Sequence, residues 1–257
     1  MNFTFSAEHT FFTSDTHFNH ANIIKFCDRP FKDVEQMNEA MIANWNRVVG
    51  ADDTVFHLGD FCLGGASEWT KVLDRLNGKI YLIIGNHDLK NLRQGFIGRF
   101  EHVAMQMHIT IGKQRIYLCH YPFLCFEGGY REVWQLFGHV HTRKNNTGLD
   151  AERLQYLYPT QYDVGVDNND FTPISFEQVN QIIKKQLDKQ TIGSLISSDS
   201  LVDIDSCNKA LNCLEGLKRD FETSKLKIDS KLKSYLDNAE SIIKRDMKYF
   251  KEKAQQN

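Results

Sequence analysis

The sequence predicts an α/β fold with a helical appendage, and three observations carry that reading. Strand-like and helix-like patterns alternate over roughly the first 180 residues. Five of the strand-like segments run straight into Asp, Asn or His. Past about residue 190 the alternation stops, and a polar, serine-rich stretch leads into a charged segment with helical spacing. The expected division is an α/β domain over residues 1–190, then a linker and helical C-terminal appendage over residues 191–257.

The first strand is "HTFFTSD", ending at Asp15. "DVEQMNEAMIANWNRVVG" reads as a helix, because Val34, Met37, Met41, Trp45 and Val48 recur every three or four residues and share one face. Asp33 can cap it, with Gln36 three residues later, and Gly50 can end it. "DTVFHLGD" is a strand running into Asp60, and "SEWTKVLDRLNG" an amphipathic helix expected to start at Ser67 and stop at Gly78. "KIYLIIGNHD" is apolar on both faces, as a central strand covered on each side would be, and it runs into Asn86, His87 and Asp88. "HVAMQMHITIGKQRIYLCHYP" is expected to be two strands joined at Gly112 and Lys113, the second ending at His120. "EVWQLFGHVH" runs into His139 and His141, and "QYDVGVDNND" is a last strand with a turn. "SFEQVNQIIKKQL" is a helix capped by Ser175, with Gln178 in the capping-box position, over by about Leu187.

Composition removes several classes of function. With 41% hydrophobic and 25% charged residues the 257-residue chain is ordinarily globular, and a net charge of −2 gives no global field toward nucleic acid or membrane. The charge is uneven: residues 206–257 hold twelve Lys and Arg against eight Asp and Glu, so the body is acidic and the tail basic. No apolar run has the length of a membrane helix, and the N-terminus lacks the basic start and apolar core of a signal peptide. The six cysteines form no C-x-x-C pair, which argues against a thiolate zinc site and for reduced thiols in a cytoplasmic protein, buried as small hydrophobes.

Ligands in open α/β sheets bind beyond the carboxyl ends of strands, so five polar strand ends can converge on one site. The segments are, in order, "SDTH", "HLGD", "GNHD", "CHYP" and "GHVH". This set resembles the calcineurin-like metallophosphoesterase superfamily, whose blocks are D-x-H, G-D, G-N-H-D/E, a lone H and G-H-x-H. All five stand here in the family's order with no ligand replaced, spanning residues 15–141. The resemblance implies two packed mixed β-sheets flanked by helices, and a hydrolase of phosphate esters, phosphodiesterase or phosphomonoesterase. It implies one metal on Asp15, His17, Asp60 and His141 and a second on Asp60, Asn86, His120 and His139, with Asp60 bridging. Mixed imidazole and oxygen ligands suit Mn, Fe, Zn or Ni. Such a pair lowers a water's pKa toward ~7 and so supplies hydroxide at neutral pH. The resemblance also makes His87 a non-ligand, a proton donor or hydrogen-bond donor to the leaving oxygen, and Asp88 can hold the His87 ring.

Other residues carry alternatives. His20 either reaches the substrate phosphate or is a surface histidine. Arg29, extended before Pro30, either clamps a phosphate or is solvated. His57 is expected to be buried and hydrogen-bonded. The tail, with an apolar stripe over residues 214–250, reads as one long amphipathic helix or a two-helix hairpin, packing on its own domain or pairing with a second copy. The expected substrate is a phosphorylated small molecule, a nucleotide or a nucleic-acid end, with no membrane partner. The alternative function is a catalytically silent scaffold, or a metal-dependent interaction module, on the same fold.

Overall fold

Residues 3–93, 98–142 and 154–197, with scattered positions between 211 and 244, are described in the computed structural model. The chain divides into two units, Met1–Leu187 and Asp188–Asn257. Strands of the first unit are β1 (Phe3–Phe5), β2 (Thr10–Thr13), β3 (Thr54–His57), β4 (Lys79–Ile83) and β5 (His102–Ala104), then β6 (Gln106–Ile111), β7 (Gln114–Cys119), β8 (Trp134–Phe137), β9 (Gln161–Asp163) and β10 (Ile174–Ser175). Helices are α1 (Ala21–Phe26), α2 (Val34–Val48), α3 (Ala66–Leu73), α4 (Leu89–Arg93) and α5 (Phe176–Ser197). The strands form two five-stranded sheets, ordered β10-β2-β3-β4-β5 and β1-β6-β7-β8-β9. Within them β2, β3 and β4 run parallel, as do β7 and β8. The five ligand-bearing strand ends therefore lie at carboxyl ends in both sheets.

Strand alternation builds two cores. Phe12, Phe56, Leu58 and Ile83 pack with Ile109, Ile116, Leu118 and Leu136 of the other sheet. The opposite face of β3 and β4 gives Val55, Ile80 and Leu82 to a second core with Met37, Met41 and Trp45 of α2 and Trp69 of α3. Both faces of the central strands are covered, as the apolar run "KIYLIIGNHD" predicts.

Several boundaries differ from expectation. β5 is a separate strand on the edge of the first sheet, and only β6 and β7 form the hairpin across Gly112. The N-cap of α3 is Gly65, not Ser67, and Glu68 Oε2 accepts the Gly65 N–H at 3.1 Å. Helix α2 is capped by Asp33, whose side chain accepts from Gln36 N at 2.8 Å, and ends at Val48, with Val49 already extended before Gly50 is reached. Helix α5 starts with the expected box, Ser175 N donating to Gln178 Oε1 at 2.9 Å, and continues to Ser197. Cys27, Cys62 and Cys119 are buried, whereas Cys125 is exposed.

In the second unit, most of the predicted apolar stripe lies outside the described residues. Lys218 Nζ pairs with Asp237 Oδ1 at 2.7 Å and Glu240 Oε2 at 2.6 Å. The choice between one long helix and a two-helix hairpin falls on residues outside the described ones. No helix among the described residues is long and apolar enough to cross a membrane.

Candidate metal centre

The loops after the strands are tied to one another by hydrogen bonds. Asp15 N donates to Gly59 O at 2.9 Å and His17 N to Asp60 O at 3.0 Å, which joins the loops after β2 and β3. Gly138 N donates to His120 O at 2.9 Å, joining those after β7 and β8, and His139 N donates to Asp15 Oδ2 at 2.9 Å, joining the two sheets. Such tight reversals strain the backbone. Asp15, His17, Asp60, His139 and His141 all have φ between 46° and 72°, in the left-handed region. Left-handed non-glycine residues are uncommon and cluster where a site demands them; here five of the seven candidate ligands are among them. Room is equally tight. A Cβ on Gly85 would collide with Asp60 Oδ1, and one on Gly138 with Ser14 Oγ and Asp15 Oδ2.

These loops bring the predicted ligands together. Asp15, His17 and His141 offer ligand atoms within 4.8 Å of one another, and so do Asp60, His120 and His139. Asp60 Oδ2 is 3.6 Å from His17 Nε2 and 3.6 Å from His120 Nε2. Asp15 Oδ1 is 4.0 Å from His17 Nε2 and 3.8 Å from His141 Nε2. Asn86 Oδ1 lies 3.2 Å from His120 Nε2.

The donor set fits a pair of cations. Asp15 Oδ1 and His17 Nε2 are buried with no hydrogen-bond partner, a costly state for polar groups that face each other. Separations of 3.6–4.0 Å are too long for hydrogen bonds. They suit atoms sharing an ion at ~2.0–2.2 Å from each. Burial and the nearby Asp15 carboxylate raise Asp60 above the usual carboxylate range despite His120. Burial, then the positive neighbours His141 and Arg29, hold the His17 imidazole far down, in the neutral form that ligates. Burial lowers His139 too.

Supporting hydrogen bonds orient the ligands. His120 Nδ1 bonds Leu58 O at 2.7 Å and His141 Nδ1 bonds Asp167 Oδ2 at 2.7 Å, so in both rings Nε2 is left for the centre. Burial works against a charged His141, but the Asp167 and Cys27 bonds prevail and push it up to about 11. A cation at Nε2 would displace that proton. His57 is buried as expected: it accepts Gly59 N–H at Nδ1, and its Nε2 meets Thr16 Oγ1 at 2.9 Å. Burial lowers it to about 3.

Two expectations need correcting. Asp88 does not hold the His87 ring. Its Oδ2 accepts from Asp60 N and Gly85 N and its Oδ1 from Phe61 N, all between 2.8 and 2.9 Å, so it clamps the loops after β3 and β4. Arg29 is neither solvated nor free for a phosphate. It is buried and donates to Asp15 O, Thr16 O and both oxygens of Asp167. His87 stands at the mouth, its side chain 45% exposed and Nε2 4.0 Å from Asp60 Oδ2. His20 lies beside it, with ring centroids 6.1 Å apart, and its Nδ1 is buried without a partner.

Sequence reasoning missed Asp163 and Asp167. Asp163 is buried and accepts from Gly165 N at 2.7 Å and Thr142 N at 3.0 Å, holding the segment after His141. The signal was present: "QYDVGVDNND" is itself a strand running into acidic residues. Cys27, whose Sγ is 3.4 Å from His141 Nδ1, carried no signal.

Residues 9–168 match the family described as calcineurin-like phosphoesterase. The chain belongs to this family. An uncharacterized protein of Methanocaldococcus jannaschii is 33% identical over 186 residues, covering 71% of this chain and 95% of that protein. The gene 66 protein of Mycobacterium phage L5 is 27% identical, over 55% of this chain and 86% of its own length. A solved structure, a protein of unknown function from Aquifex aeolicus, aligns with a TM-score of 0.51 at 26% identity, covering 67% of this chain and 98% of that one. The two packed sheets are those of the calcineurin-like fold, and the chain carries a domain of the calcineurin-like phosphoesterase family with groups of residues that could hold metal ions.

Proposed function

We propose that this domain hydrolyses phosphate esters with two divalent first-row metal ions held by Asp15, His17, Asp60, Asn86, His120, His139 and His141. The observation that carries the reading is the placement of Asp60, whose Oδ2 is 3.6 Å from His17 Nε2 in one group and 3.6 Å from His120 Nε2 in the other. A carboxylate so placed would serve two cations at once and offset their repulsion. Mn, Fe, Zn and Ni all accept this donor set. When bound, the ions supply Lewis-acid charge to the phosphoryl oxygens and acidify a water.

The chain's own residues orient and move protons. Asp167 and the Leu58 carbonyl fix His141 and His120 by their outer nitrogens. His87, anchored by its backbone N–H to Asp60 Oδ1 at 2.9 Å, presents Nε2 at the mouth, where it donates a proton or hydrogen bond to the departing oxygen. His20, beside it, donates to a phosphoryl oxygen. Turnover of p-nitrophenyl phosphate and bis(p-nitrophenyl) phosphate by protein loaded in turn with Mn, Fe, Zn and Ni tests the proposal. Folded protein that binds two metals and hydrolyses no ester in the panel would favour the silent scaffold instead.

A further inference from the structure

A cavity of about 510 Å³ opens beside the His120 and His139 half of the centre, with Tyr121, Leu124, His139, Tyr156 and Leu157 in its wall. Its size is within the roughly 300–1,000 Å³ of small-molecule sites. Two residues join it to the centre. His139 belongs both to a candidate metal group and to the cavity wall. Tyr121 lines the cavity, its hydroxyl lies 3.5 Å from Asn86 Oδ1, and its ring is 4.7 Å from that of His139. A group bonded to a phosphorus atom at the centre has this cavity directly beside it.

The wall chemistry narrows what that group is. Among the described residues, no Asp, Glu, Lys or Arg lines the cavity. Leu124 is 72% exposed and Tyr156 68%, so large apolar side chains stand open to solvent at the edge of a polar centre. Exposed apolar residues gathered around a cavity mark a contact site, and tyrosine and leucine faces take a flat ring by stacking and burial.

We propose that this cavity is the subsite for the organic group of the substrate, and that the group is a flat aromatic ring, an aryl group or a nucleobase, joined through an ester to the phosphate. The proposal rests on the phosphoester reading above and names its substrate class.

The test is calorimetric titration of the Mn-loaded full chain with methylphosphonate and with phenylphosphonate, which cannot be hydrolysed at phosphorus. Phenylphosphonate should bind about tenfold or more tightly. In Leu124→Ser/Tyr156→Ser the ratio should fall toward one, whereas Tyr156→Phe should keep it. Both side chains are largely exposed, so replacing them removes little buried packing. Competition by adenosine 5′-monophosphate and ribose 5-phosphate then separates the two sources of the ring. A gain for the adenosine compound makes it a nucleobase, and a gain for phenyl alone makes it an aryl group. Equal affinity for the two phosphonates, or a phenyl advantage that survives the double substitution, overturns the subsite and leaves the phosphoester reading standing. Failure of the metal-loaded protein to bind either phosphonate overturns both.

Discussion

Arg29 and Asp167, 138 positions apart, form a buried two-pronged ion pair, Nε to Oδ1 at 2.8 Å and Nη2 to Oδ2 at 2.9 Å. Asp167 also receives His141 Nδ1, and Arg29 also donates to the carbonyl oxygens of Asp15 and Thr16. One guanidinium thus links the first and last blocks of the site. Burial alone would raise Asp167, but the His141 bond and the Arg29 charge hold its carboxyl below the usual range.

Arg29→Ala should therefore act on stability and metal retention. Leaving Asp167 without its partner should cost about 3–5 kcal/mol, the usual penalty for breaking a buried pair. Metal affinity should fall ~10–100-fold, as for other outer-shell losses. Thermal unfolding and metal titration measure both. A variant with normal stability and metal content but a raised KM would restore the phosphate-clamp role.

Asp88→Asn should loosen the loops after β3 and β4, because an amide nitrogen would face backbone donors. The expected loss is about 1–3 kcal/mol, with weaker metal retention. If Asp88→Asn instead kept its metals and stability and lost only activity on substrates with basic leaving groups, the carboxylate would be acting on His87.

His87→Ala should keep its metals and lose turnover ~10²–10⁴-fold. The loss should be smaller for p-nitrophenyl esters, whose leaving group needs no proton, than for alkyl esters. Equal losses across leaving groups would give His87 a binding role, and lost metal would make it a ligand.

Ending the chain after Ser197 preserves α5, whose Phe176, Val179 and Ile183 are buried in the core between the sheets. Such a protein should hydrolyse a small aryl ester at close to the full-length rate. A folded, metal-loaded truncation without that activity would bring the residues beyond 197 into the site.

What was legible in the sequence follows from what repeats in it. Periodic apolar positions marked α2 and β4, and polar residues at strand ends marked where a site would gather, while the family resemblance singled out the seven candidate ligands among them. β1 and β10 escaped notice because three- and two-residue strands carry too little alternation to register. The reassignment of Asp88 and Arg29 was out of reach for another reason. Their partners are backbone groups and a carboxylate far away in the chain, and a sequence shows neither. The cavity at Tyr121 and Tyr156 likewise exists only once residues 35 positions apart meet.

The measurement that tests the two-metal centre most directly is the metal content of Asp60→Asn beside the unaltered protein, by elemental analysis of folded, gently purified samples. Because Asp60 Oδ2 stands equally near His17 and His120, both equivalents should fall together and ester hydrolysis should go with them. Retention of one tightly held equivalent, or of full content with full turnover, would contradict a centre bridged by Asp60.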